Sequence, residues 1–130
     1  MTPQREEAER FMRLARRDEA AFRALLESTT VDFAVACFHA QQAVEKALKA
    51  VMFLHGLEFR RTHDLEELSG TLADASVNIP LEEEELRRLT PYAVEFRYDD
   101  EPIPLVSPEQ AISYTSRALA WADKSLANFA

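Results

Sequence analysis

Residues able to do chemistry gather in three places along the chain. Arg60, Arg61, His63 and Asp64 stand together in RRTHD, Gln42, Glu45, Lys46 and Lys49 recur at three- and four-residue steps, and Arg97 precedes Tyr98. Two arginines ahead of a short helix favour an anionic ligand, because guanidinium groups and unpaired backbone N–H groups converge on a phosphate there. His63 supplies an imidazole, Asp64 a carboxylate suited to the first turn of a helix, and Tyr98 a ring on which a base can stack. Arg60, Arg61, His63, Asp64, Arg97 and Tyr98 are therefore the candidate nucleotide- or phosphate-binding set.

Other chemistry is poorly represented. There is no phosphate-cradling glycine loop, no Gly-x-Ser-x-Gly elbow, no His-Glu-x-x-His and no cluster of metal-ligand cysteines, so neither a cofactor nor a metal is expected. The only imidazoles are His39, His55 and His63. His39 and His55 fall on one helix about 24 Å apart at 1.5 Å rise per residue, too far to share an ion. Cys37, the sole cysteine, lies in an apolar run with no basic neighbour and reads as a small buried thiol.

These groups need elements to hold them, and the composition points to helices. The 130 residues contain two glycines, carry a net charge of −8, and suit a single domain spanning 1–130. Residues 1–65 hold ten acids and ten bases, and residues 66–130 hold thirteen acids and five bases, so the excess negative charge lies in the second half. That balance argues against duplex DNA as a partner, although Arg10, Arg13, Arg16 and Arg17 lie close at helical spacing and read as a solvated face paired with nearby acids. The start, MTPQREEAERF, has no apolar leader, and no apolar run approaches the ~18 residues that span a bilayer. The expectation is a cytoplasmic protein with no membrane partner.

Apolar periodicity predicts a first helix from Pro3 to about Glu27, with Asp18 on its apolar face in need of a basic partner or water. A long second helix, Val31 to His55, carries Ala36, Ala40, Val44, Ala47, Val51 and Leu54 as a core stripe and ends near Gly56. Its other side bears His39, Gln42, Glu45, Lys46 and Lys49, bounded by Val35 and Phe38 before and by Met52 and Phe53 after. A polar island between apolar ends predicts a surface buried against a second subunit or in a cleft between helices. Phe38, Gln42, Glu45, Lys46, Lys49, Met52 and Phe53 are its candidate residues. Further helices are expected from His63 to about Ala75 with Thr62 as N-cap, from Pro80 to about Leu89, in a further turn within Tyr92 to Tyr98, and from Pro108 to about Asn128 behind a Ser107/Gln110 capping box. The stretch DDEPIPLV between the last two is irregular. The whole reads as all-α, an antiparallel four-helix up-and-down bundle with a short extra helix.

CFHAQQAVEKALKAVMFLHG, then RRTHDLEEL and later EFRYDD, resembles the HEPN domain from about Phe11 to Leu126. The resemblance implies a bundle of four main helices with a short extra one, commonly a homodimer, associated with nucleotide or RNA binding. It also implies a minimal nucleotidyltransferase as partner, in some cases as a toxin and antitoxin pair. The catalytic branch of that family cleaves RNA through an Arg followed four to six residues later by a His. Here Arg60 and Arg61 stand three and two residues before His63, and neither His39 nor His55 has an arginine at that distance upstream. The resemblance thus favours a non-catalytic homodimeric subunit that binds a nucleotide or a nucleotidyltransferase. The alternative it leaves open is a ribonuclease toxin using His63 with Arg60 or Arg61.

Overall fold

The computed structural model describes residues 2–94 and 103–129. Among them there is no strand, and five α-helices and one 3₁₀ turn make an all-α bundle. Helix α1 spans Pro3–Leu26, α2 Phe33–Leu54, α3 Leu65–Asp74, α4 Glu83–Leu89 and α5 Pro108–Asn128, with the 3₁₀ turn at Thr90–Ala93. Helix α2 is the axis of the bundle and packs against α1, α3, α4, α5 and the 3₁₀ turn. Ala36, Ala40, Val44, Ala47 and Val51 have no exposed surface and Leu54 very little, so the expected core stripe is the core. Small side chains along it let α1 and α5 approach closely.

The helix ends follow local hydrogen-bonding chemistry. Thr2 caps α1 by accepting from the Arg5 N–H at 3.1 Å. Helix α2 begins at Phe33 rather than Val31, because the Ser28 hydroxyl accepts from the Thr30 and Val31 amides at 3.2 and 3.1 Å and holds both in a turn. At the other end Gly56 adopts φ +66°. Its N–H donates to the Phe53 carbonyl at 3.0 Å and the Leu57 N–H to the Met52 carbonyl at 2.9 Å, the paired bonds that close a helix on a left-handed residue.

Two further predicted starts move. Helix α3 begins at Leu65 rather than His63, because Asp64 is the N-cap: its carboxylate accepts from the amides of Glu66 and Glu67 at 3.0 and 3.3 Å. Thr62 serves one step earlier, accepting from the Asp64 N–H at 3.1 Å. Helix α4 begins at Glu83 rather than at Pro80, whose carbonyl accepts from Arg117 Nη1 of α5 at 3.0 Å. The Glu82 N–H meanwhile donates to the Glu85 side chain at 2.8 Å. The predicted start of α5 holds: Ser107 Oγ accepts from the Gln110 N–H at 3.0 Å, and the Gln110 side chain accepts from the Ser107 N–H at 2.8 Å. Thr90 ties α4 to α3 through its hydroxyl oxygen, which accepts from the Leu65 N–H at 3.2 Å. That bond fastens the first residue of α3 to the end of α4. No helix of the described residues is long and apolar enough to cross a membrane.

Candidate functional site

Glu45 lies at the centre of the polar stripe and is buried, with 3% of its surface exposed. A carboxylate withdrawn from water must be paired and hydrogen-bonded. Glu45 meets both conditions: Lys49 Nζ donates to Oε2 at 2.9 Å, and Oε1 takes His63 Nδ1 at 2.8 Å and Gln41 Nε2 at 3.2 Å. Since the carboxylate accepts, Nδ1 of His63 carries the proton. Gln41 Nε2 also donates to the His63 carbonyl at 3.0 Å, and Gln42 donates to the Gln41 carbonyl oxygen at 2.7 Å. His63 is thereby held at its ring and at its backbone while 56% of its side chain remains exposed. Nε2 makes no hydrogen bond to any described residue.

Lys49 is covered by its own chain, its ammonium 5.5 Å from the Phe59 ring centroid. Phe59 meets Phe53 edge-on at 5.5 Å, and Phe53 packs on Phe11 of α1 at 5.0 Å. Met52 is fully buried within this chain. Glu45 thus lies covered at the α2 side of the connector 55–64, with the His63 ring half-exposed beside it.

A second carboxylate occupies the other side of the stripe. Asp18 of α1 accepts from His39 at Nδ1, 2.9 Å away, and forms an ion pair with Lys46 Nζ. Asp18 thus finds the basic partners its place on an apolar face demands. Phe38 stacks edge-on against His39 at 5.1 Å.

The candidate phosphate set separates into parts. Arg60 Nε donates to Glu67 at 2.5 Å, and this bond raises the Arg60 pKa above the usual arginine range and holds the Glu67 carboxyl below the carboxylate range. Arg61 is exposed and makes no ion pair with a described residue. Asp64 already fills the N-terminus of α3, so any anion here meets side chains rather than α3 amides. Arg97 and Tyr98 lie outside the described residues. His55 sits at the C-cap of α2 with its ring 5.0 Å from Phe129, away from this group. On α1, Arg10 pairs with Glu7, and Arg16 with Glu19 and Asp123, as a solvated face would. Burial pushes the Cys37 thiol up to about 12, which removes it as a nucleophile.

Sequence reasoning overlooked Gln41, which has no exposed surface and links Glu45 to the His63 backbone. Its signal was a polar residue between the core positions Ala40 and Ala43. An α2 bearing this polar stripe, followed by a histidine turn and a capped short helix, is the framework expected from the HEPN resemblance. The family model of the HEPN domain matches residues 8–125. The chain belongs to the HEPN family. Comparison with the curated proteins and with the solved structures finds no match. The match covers both α2 and the connector that carries His63, and it leaves the role of this chain to its own residues.

Proposed function

We propose that this HEPN chain is a non-catalytic binding subunit that holds a phosphate of a nucleotide or RNA at the exposed edge of His63. The observation that carries this reading is the exposed His63 ring, anchored at Nδ1 on buried Glu45. In the imidazolium form both ring nitrogens donate, Nδ1 to Glu45 and Nε2 to a phosphate oxygen, and the ligand's charge is met by the ring and by Arg61. Glu45 is balanced by Lys49, so the pair is neutral before His63 takes its proton.

Isothermal titration with ATP, GTP and their diphosphates, with and without magnesium, tests the reading. Submillimolar binding that weakens about tenfold in His63→Ala and in Arg61→Ala is expected, since a charge-assisted hydrogen bond contributes about 1.5–3 kcal/mol. No binding better than millimolar refutes it. The HEPN family further supports a homodimer and a minimal nucleotidyltransferase as partner. Sedimentation equilibrium checks the first, and co-purification with the product of an adjacent nucleotidyltransferase reading frame checks the second.

One observation favours a second reading, an RNA-cleaving enzyme. A carboxylate on Nδ1 that leaves Nε2 exposed is the arrangement of a general base. RNA cleavage that vanishes in His63→Ala, with the fold intact, would establish it over the binding role.

A further inference from the structure

Gln41 is a polar side chain with no exposed surface, set between the core residues Ala40 and Ala43 of α2. A buried amide is costly unless its hydrogen bonds are made. Both N–H groups of Gln41 go to the surroundings of His63: one meets Glu45 Oε1 at 3.2 Å and the other the His63 carbonyl at 3.0 Å. Its oxygen accepts from Gln42 Nε2 at 2.7 Å. The amide can take one orientation only. Turned over, its oxygen would stand against a carboxylate and a carbonyl, and the Gln42 donor would lose its acceptor.

Packing alone does not account for this residue, since an apolar side chain of the same length would fill the space without burying an amide. What the amide adds is a fixed spacing. One nitrogen bonds Glu45 Oε1 and the His63 carbonyl at once, so the carboxylate stays close to the His63 main chain. Nδ1 is the ring nitrogen nearer the main chain, and Nε2 is the farther one. At this spacing Nδ1 meets Glu45, at 2.8 Å, and Nε2 is left clear of the carboxylate. Thr62 and Asp64 fix the residues on either side, but among the described residues only Gln41 bonds to the His63 backbone.

We propose that Gln41 is the positioning residue of the His63 site: it decides which imidazole nitrogen meets Glu45 and which is offered to a ligand, and Gln42 holds its amide in place. The partner of one ring nitrogen sets the tautomer, and Gln41 sets that partner's distance. Without the Gln41 bonds the connector is free to draw back from Glu45. The farther nitrogen then reaches the carboxylate, and the ligand-binding edge of the ring turns inward. Glu45 and Lys49 remain paired, so the ring loses its presentation and keeps its charge partner. This rests on the phosphate role proposed for His63 and adds a group that does not touch the ligand.

The test uses the whole chain with ¹⁵N-labelled histidine and compares the parent with Gln41→Met, which keeps the length of the side chain and removes its amide. In alkaline solution a neutral imidazole carries one N–H, and its ¹⁵N signals tell which nitrogen has it. In the parent the His63 proton is expected on Nδ1 alone, and in Gln41→Met a share of it is expected on Nε2. Titration calorimetry with ATP is expected to show binding weaker by about three- to tenfold, no more than in His63→Ala, because at most that one charge-assisted bond is lost. Thr115→Val removes a buried hydroxyl that donates to the Ala111 carbonyl within α5 at 2.8 Å, and is the control for lost stability alone. It is expected to leave tautomer and affinity unchanged. If Gln41→Met fails to fold, Gln42→Leu frees the Gln41 amide and is expected to move the same signals. A proton that stays on Nδ1 in the folded variant, a shift matched by Thr115→Val, or a moved proton with ATP affinity unchanged overturns the role of Gln41 and leaves that of His63 in place. A moved proton in a protein that binds no ATP upholds the positioning and refutes the phosphate reading alone.

Discussion

Removing the Glu45 carboxylate should destabilise the protein chiefly through what it leaves behind. In Glu45→Ala, the Lys49 ammonium keeps its place with 12% of its side chain exposed and no carboxylate opposite. An uncompensated buried charge of this kind costs about 3–5 kcal/mol. The lost His63 bond adds less than about 1 kcal/mol, because that ring is more than half exposed and its interaction is screened. Against a total stability of about 5–15 kcal/mol, the loss is a large fraction. Urea denaturation followed by circular dichroism should show a midpoint lower by about 1–5 M at a slope of about 1–3 kcal/mol per molar. The double variant Glu45→Leu, Lys49→Met removes both charges and fills the space, so most of the loss should be recovered. A Glu45→Ala cost below about 1 kcal/mol, or a double variant no more stable than Glu45→Ala, would refute the claim that the two charges are a buried pair.

Three further outcomes follow from particular residues. The hydrogen bond from Arg117 at 2.6 Å holds the Glu85 carboxyl below the carboxylate range, so its stabilisation is present above the unfolded-state pKa and lost as pH falls through the folded value. Glu85→Gln should therefore flatten the loss of stability in acid, measured by thermal melts across that range; an unchanged acid slope counts against the pair. Gly56→Ala should cost about 1 kcal/mol, because φ is +66° and the added Cβ would stand 3.3 Å from the Gln4 side chain. A denaturation midpoint equal to that of the parent would contradict that conformation. Cys37, fully buried with its thiol pushed up to about 12, should resist a disulfide reagent at pH 8 until urea opens the fold, and prompt labelling of the native protein would show that the α2 core is not closed.

What the sequence determined by itself was local. Spacing of apolar residues marked the helices, the Ser107/Gln110 pair marked the start of α5, and Gly56 marked the end of α2. Each of these depends on groups within five residues of one another, bonded by a geometry that any helix imposes. Spacing also put Glu45, Lys46 and Lys49 on one side of α2 and flagged Asp18 as a carboxylate in search of a partner. Only the tertiary structure decided who met whom. Asp18 reaches His39 and Lys46 across 21 and 28 residues of chain, and Glu45 reaches His63 across 18. Periodicity within one helix carries no information about the neighbour that will face it, so the partition of the arginines was equally hidden. Arg60 lies against Glu67 in the first turn of α3, Arg61 does not, and Asp64 takes the α3 amides that a phosphate would otherwise have used. The shift of the N-cap from Thr62 to Asp64 made that last difference: a carboxylate at Asp64 reaches two amides at once, so the helix starts behind it and His63 stays in the connector, its ring turned onto Glu45.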